Sequence, residues 1–515
     1  MLTAPARETA VQERVPSTTE AVVSGLLAGA AGLAVGEVLG RLLPGATSPV
    51  LAVAARVVDL TPAAVRGPAI DAVGAADKPL LLAGVLLVVA LLAAYGGLLA
   101  QRRLRSAEQL VAGLAVLVLL AQLPQPEVGP GALAVAGGLL LTTVGVLRSL
   151  LAPARRPTAA GRRAFLTRGV VVGLAVVGAG GVVRFLQRRA DVSALRDAVG
   201  LPVPVRAAPG DLAAADLGVP GMPDVLTPNQ VFYRIDTALV VPQVDPSRWS
   251  LSVRGLVDRP YRLTYDELLS LPQVEADITM QCVSNEVGGD LVGTARWQGV
   301  LLRDVLARAG VRPEAEQVLS SSVDGFTAGF PVRYATDGGP ALVAVAMNGE
   351  PLPLEHGFPA RLVVPGLYGY VSATKWLDSL ELTPWRDVEG YWVPRGWAKE
   401  GPVKTMSRID VPRGDRDVDA GPVVVAGTAW APGRGRGIVA VDVRVDGGPW
   451  QPAELGGALS EDTWRQWRWT WQATPGEHLL EVRATDRLGD VQTGEVADIA
   501  PDGATGYHRL ELRVV

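Results

Sequence analysis

Uncharged apolar runs dominate the first 190 positions, and shorter alternating or mixed runs dominate the rest. A bilayer crossing takes about 20 consecutive apolar residues. Five stretches approach or exceed that length: 21–36, extended past Glu37 to about Leu43; 79–101, bounded by Lys78 and Arg102; 109–126; 128–147; and 169–183, continued through Arg184, Phe185 and Leu186. A weaker run, 50–65, is broken by Arg56, Asp59 and Pro62 and reads as a partly buried external segment. The pattern predicts an N-terminal all-α transmembrane region of about five helices over residues 1–190. Residues 191–227 repeat Ala, Pro, Gly and Asp and read as a linker. Beyond them, 249–254 alternates like a strand, 265–271 reads as a helical turn and 301–309 as an amphipathic helix. These predict an α+β domain over 228–402. From 403 to 515 the runs VVVAGTAW (423–430), VAVDVRVDG (439–447), WRQWRWTW (464–471) and HLLEVRATD (478–486) are separated by Gly, Pro and Asp turns. That rhythm predicts an all-β antiparallel sandwich whose tryptophans serve core or interface.

Charge adds orientation. Arg102, Arg103 and Arg105 follow the second span, and Arg148, Arg155, Arg156, Arg162, Arg163 and Arg168 lie between the fourth and fifth, whereas the loop PQPEVGP (124–130) carries no cation. By the positive-inside rule the N-terminus is inside and everything after residue 190 is extracytoplasmic, a multi-pass cell-membrane arrangement. GRRAFLTRG (161–169) reads either as a twin-arginine-like export signal or as a basic stop at the cytoplasmic face. Glu37 beside Arg41 reads as a solvated pair at a helix end. The net charge of −4 argues against nucleic acid as a partner. His356, His478 and His508 are the only histidines, so the helical region cannot hold a bis-His haem and reads as an anchor or docking surface.

One cysteine, Cys282, excludes intramolecular disulfides, all-cysteine zinc sites and iron–sulfur clusters ligated by this chain alone. It follows a β-prone stretch and precedes a Gly-rich loop in TMQCVSNEVGGDLVGTARWQGVLLRDVL (279–306). A thiol at such a strand end is either a small buried hydrophobe or a group that faces a cleft. In an extracytoplasmic setting a bound metal would keep it from oxidation by holding it as thiolate. HGFPAR (356–361) puts His356 and Arg361 near a Pro-constrained turn, with Lys375 beyond. Such cations suit a phosphate group; surface ion pairs are the other reading.

From about Asn229 to the C-terminus the chain resembles the sulfite oxidase family of molybdopterin enzymes. The resemblance is carried by FYRIDTALVVPQVDP (232–246), the Cys282 segment, DGFTAGFP (324–331), MNGEPLPLEHGFPARLVVPG (347–366), KWLDSLEL (375–382) and GTAWAPGRGRGIVAVDVRVDGGPW (427–450). It implies a molybdopterin-binding catalytic domain and an immunoglobulin-like dimerisation domain. Cys282 matches the family's molybdenum ligand; His356, Arg361 and Lys375 match positions that hold the pterin and its phosphate. Arg234 matches an active-site arginine that also meets the cofactor, and Asp324 a residue near it. The implied chemistry is two-electron oxygen-atom transfer on a sulfite-like oxyanion or an S- or N-oxide, with the metal supplying the redox step. A separate electron carrier, a cytochrome c or quinol-linked protein, is the expected partner. No haem is expected in this chain, and a homodimer is possible. Two departures bear on substrate: Asp236 stands where the family has a histidine, and Glu286 where it has an anion-gripping arginine. An inert Cys282 in a cell-surface binding protein without turnover is the competing reading.

Overall fold

The computed structural model describes residues 15–62, 76–124, 128–154, 158–414 and 416–515. Part of the 124–130 loop, Val65, Arg155 and Arg156 lie outside them. The chain divides into two compact units, Met1–Asp191 and Val192–Val515.

Among the described residues the first unit holds five helices long and apolar enough to cross a membrane, the last beginning at Ala159. The run at 50–65 becomes a shorter helix, Pro49–Leu60, of 12 residues; at 1.5 Å per residue it cannot span. Small residues set the packing. A Cβ on Gly97 would meet the Ala21 carbonyl oxygen at 2.0 Å, and one on Gly25 the Ala93 oxygen at 2.1 Å. Helices Thr18–Leu42 and Asp77–Arg102 therefore touch backbone to backbone, the close approach that small residues permit in a bilayer, where burial of apolar surface drives nothing. Glu37 pairs with Arg41 and also accepts from the Ser48 hydroxyl at 2.6 Å.

The second unit is built from four sheets. In chain order its strands are β1 (Ser250–Gly255), β2 (Tyr261–Thr264), β3 (Val274–Gln281), β4 (Val292–Leu301), β5 (Gln317–Ser322), β6 (Thr327–Pro331), β7 (Leu342–Met347), β8 (Glu350–Pro351), β9 (Arg361–Val363) and β10 (Leu377–Thr383). One sheet runs β2-β1-β10-β5-β6, with only β1 and β10 parallel; the other runs β3-β4-β7-β8, with β9 also on β7. β7 is buried at every residue and β4 at nine of ten, as a strand covered on both faces must be. The amphipathic helix forms at Leu302–Ala309 and buries Leu302, Val305 and Leu306. The remaining strands are β11 (Met406–Val411), β12 (Gly421–Trp430), β13 (Ile438–Val445), β14 (Gln451–Pro452), β15 (Glu454–Leu455), β16 (Arg465–Ala473), β17 (Gly476–Asp486) and β18 (His508–Val514). They form two four-stranded sheets, β11-β12-β16-β15 and β14-β13-β17-β18, over a common core of Val425, Trp467, Val441, Val443, Leu480 and Val482.

The segment read as a linker is docked onto the sheets. Val192 joins a core cluster with Ile278 and Trp297, and Arg196 pairs with Glu350 at 2.8 Å. Val205 donates its N–H to the Gln273 carbonyl at 2.8 Å, and Leu217 donates to the Gln466 side chain at 2.8 Å. Ala, Pro and Gly carry no periodicity that betrays such a path, because an extended strip bonds through its backbone.

The pair His478–Asp446, 2.7 Å apart on the last sheet, ties stability to pH. The hydrogen bond to Asp446 raises the His478 pKa above 6.5, so the histidine contributes fully below 6.5 and loses its contribution as pH rises through the folded value. Hydrogen bonds from the Leu479 N–H and from His478 lower the Asp446 pKa below 3.8, so its contribution fades only as pH falls through that lowered value. His478→Gln should therefore lower the melting temperature slightly at pH 5.5 and not at pH 8.5. The effect stays within about 1 kcal/mol because the carboxylate is largely solvated. An equal loss at both pH values would refute the linkage.

Candidate active site

Cys282 lies one residue past β3, where its N–H still bonds the Leu291 carbonyl at 2.9 Å. The chain then turns: the Asn285 N–H returns to the Cys282 carbonyl at 3.1 Å, and the Asn285 side chain accepts from the Leu291 N–H at 2.8 Å. This turn presents the thiol, on a residue only 7% exposed, to a cleft of about 920 Å³ measured out to open solvent. Burial pushes the thiol pKa up, while hydrogen bonds from the Ser284 N–H, its hydroxyl and the Val283 N–H favour the thiolate.

The same cleft is lined by Asp236, Asp324, His356, Arg361 and Lys375, in addition to Cys282. Six of the eight residues singled out in the sequence thus converge. Arg234 and Glu286 do not: Arg234 is absent from the lining, its side chain is 41% exposed, and it meets the site through Asp236 at 2.9 Å. Glu286 is exposed and outside the lining, so the carboxylate expected to oppose an anion does not face the cleft.

Asp236 is the electrostatic hub. Its side chain, 3% exposed, accepts from Lys375 Nζ at 2.8 Å and from Arg234 Nε on the same oxygen. Lys375 Nζ also donates to the Glu355 carbonyl at 3.1 Å. Burial lowers the Lys375 pKa to about 8, with Asp236 acting against that fall. Removing one member of a buried pair leaves an uncompensated charge, at a cost of about 3–5 kcal/mol. Asp236→Ala should accordingly destabilise the second unit by that order in a denaturant titration; a change below 1 kcal/mol would refute the hub.

Arg361 opens β9 and is 4% exposed. Its guanidinium lies 4.8 Å over the Trp297 ring and donates to the His356 carbonyl at 3.1 Å, while its buried Nε has no partner. Burial lowers its pKa to about 10. His356 faces the Asn229 carbonyl through Nε2 at 3.0 Å, which requires the proton on Nε2. Burial, followed by repulsion from Arg361, takes its pKa to about 4, so His356 is a neutral hydrogen-bonding group and the cations proper are Arg361 and Lys375. Sequence reasoning missed Tyr233, which also lines the cleft and is kept protonated by burial, and the rings of Phe326, Tyr370, Trp392 and Trp397.

A buried thiol with N–H donors, a desolvated guanidinium with an unused donor and a buried lysine fit an anionic, metal-bearing group. The soft thiolate suits the metal and the two cations suit its phosphate.

The sheet β11-β12-β16-β15 and the residue that precedes β16 hold this region in place. Trp430 Nε1 donates to the Gln281 side chain at 2.7 Å, Arg408 Nη1 to the Gly289 carbonyl at 2.6 Å, and the Trp464 N–H to the Thr279 hydroxyl at 2.7 Å.

The family described as "Oxidoreductase molybdopterin binding domain" matches residues 238–392. The mitochondrial sulfite oxidase of Homo sapiens is 34% identical over 323 residues, covering 53% of this chain and 58% of that protein. The sulfite oxidase of Gallus gallus is 34% identical over 326 residues, covering 53% and 69%. The uncharacterized oxidoreductase YuiH of Bacillus subtilis (strain 168) is 37% identical over 158 residues, covering 30% and 76%. The chain thus spans little more than half the length of the human protein it resembles.

Proposed function

This chain belongs to the sulfite oxidase family of molybdopterin-binding oxidoreductases, and we propose that it is a membrane-anchored enzyme transferring an oxygen atom to or from a small substrate outside the cytoplasm. The observation that carries the reading is the convergence of the Cys282 thiol with Arg361 and Lys375 in one cleft. Cys282 is the protein ligand to molybdenum. Arg361, through its unpaired Nε, and Lys375 grip the pterin phosphate, and neutral His356 orients the pterin by hydrogen bonding. The bound group supplies two-electron oxygen-atom transfer.

The chain's own residues do the rest. The Ser284 and Val283 donors offset part of the penalty that burial places on the thiolate. Asp236 fixes Lys375 and Arg234, and Asp324, hydrogen-bonded to the Phe326 N–H at 3.1 Å, shapes the turn beside the substrate. Oxidation of a substrate takes one oxygen from water and releases two electrons and two protons; reduction runs the reverse. A separate electron carrier, such as a cytochrome c or a quinol-linked protein, takes or supplies the electrons.

Five apolar helices serve as the anchor, with the arginine-rich loops inside and residues after 190 outside. The two C-terminal four-stranded sheets form an immunoglobulin-like sandwich suited to pairing subunits, over residues 403–515, behind a catalytic domain at 228–402. The test is metal analysis of the full chain, purified in detergent from a host that makes molybdopterin. About one molybdenum and one pterin per chain are expected; a folded chain with neither sinks the reading.

A further inference from the structure

The cleft has a second, apolar face that oxygen-atom transfer on an inorganic ion does not need. Phe326, Tyr370, Trp392 and Trp397 line it, each partly exposed. Their rings form a continuous array: Tyr370 to Trp397 at 5.9 Å, Trp397 to Trp392 at 6.3 Å, and Trp392 through Tyr391 to Phe326 at 5.1 and 5.9 Å. Large rings left partly exposed in a concave site present broad, pre-ordered apolar surface to a ligand.

The charges point the same way. Two carboxylates, Asp236 and Asp324, and two cations, Arg361 and Lys375, line the cleft, a formal balance of zero. Lys375 is committed to Asp236, as is Arg234 just outside. A phosphorylated cofactor adds negative charge, so no surplus cation remains to draw an oxyanion inward.

We propose that the Phe326–Tyr370–Trp392–Trp397 face recognises the non-reacting part of the substrate, and that the substrate is an uncharged S- or N-oxide bearing an aryl or similarly broad apolar group. The proposal rests on the molybdopterin reading above. In the reaction, the S–O or N–O bond breaks and the oxygen leaves as water. Two electrons come from the separate carrier protein and two protons from solvent, leaving the sulfide or amine.

The test uses the full chain in detergent, with molybdenum measured on every sample. Methyl phenyl sulfoxide, dimethyl sulfoxide and sulfite are titrated against tryptophan fluorescence, which reads binding without turnover. Oxidation of reduced methyl viologen reads turnover separately. The phenyl compound should bind at least tenfold more tightly than the dimethyl one and more tightly than sulfite. Trp392→Ala and Trp397→Ala should each shrink the phenyl-to-methyl preference severalfold at unchanged molybdenum content. Trp392→Phe and Trp397→Phe, which keep a ring and secure the test if an alanine variant does not fold, should preserve most of it. A molybdenum-loaded chain with no phenyl preference, or with sulfite bound most tightly, overturns the aromatic-face proposal and leaves oxygen-atom transfer standing. A folded chain without molybdenum overturns both.

Discussion

Cys282→Ala is expected to give a folded chain that retains little or no molybdenum and no turnover. The side chain is small and buried, and losing one sulfur's worth of apolar contact costs the fold about 1 kcal/mol. Its neighbours do not depend on it: the turn is closed by the Cys282 backbone to Leu291 and Asn285, which alanine keeps. The chemical loss is of another order. An outer-shell partner of a metal typically accounts for about 10–100-fold in affinity or activity, and a ligand in direct contact accounts for more. Metal analysis and circular dichroism on the same sample check both halves. Full molybdenum in the variant with an unchanged metal absorption spectrum would remove Cys282 from the metal site.

Arg361→Met is expected to move stability and function in opposite directions. Without cofactor, the native guanidinium is a buried cation whose Nε has no partner and whose pKa burial lowers to about 10. Replacing even a buried ion pair by apolar side chains of similar volume is commonly neutral or stabilising by about 1–4 kcal/mol. Among the described residues Arg361 has no carboxylate partner to strand, and methionine fits irregular apolar space over Trp297. The cofactor-free variant should therefore melt no lower than cofactor-free wild type. Cofactor retention should fall, because the donor proposed above to hold the phosphate is gone. Thermal melts of both proteins from a molybdopterin-deficient host, beside pterin content from a competent one, decide it. A variant that melts lower without cofactor yet keeps full pterin would refute the assignment.

The parts of this molecule that were legible in the sequence are those with short-range signatures. Apolar runs marked the long helices, alternation marked strands such as β12 and β17, and a lone cysteine after a β-prone stretch marked the end of β3. Long-range partners were not legible. Asp236 meets Lys375 across 139 positions, and neither residue type announces a buried pair. Glu286 looked like a charge in the site because it stands where the resembled family has an anion-gripping arginine, yet the turn carries it to the exterior. Trp392 and Trp397 sit in irregular chain without periodicity, so only the folded cleft reveals them. Residues 191–227 read as a linker because their contacts run through backbone groups and single side chains such as Arg196.

The two shoulders of the Cys282 turn are held from far downstream, Gln281 by Trp430 across 149 positions and Gly289 by Arg408 across 119. Those strands leave the ribosome late, and synthesis proceeds at roughly 5–20 residues per second. For several seconds the nascent chain therefore carries a thiol whose surroundings are unfinished. On the function proposed above, a metal group loaded at that stage would meet a turn without its final shape, which favours loading after β11 and β12 have docked.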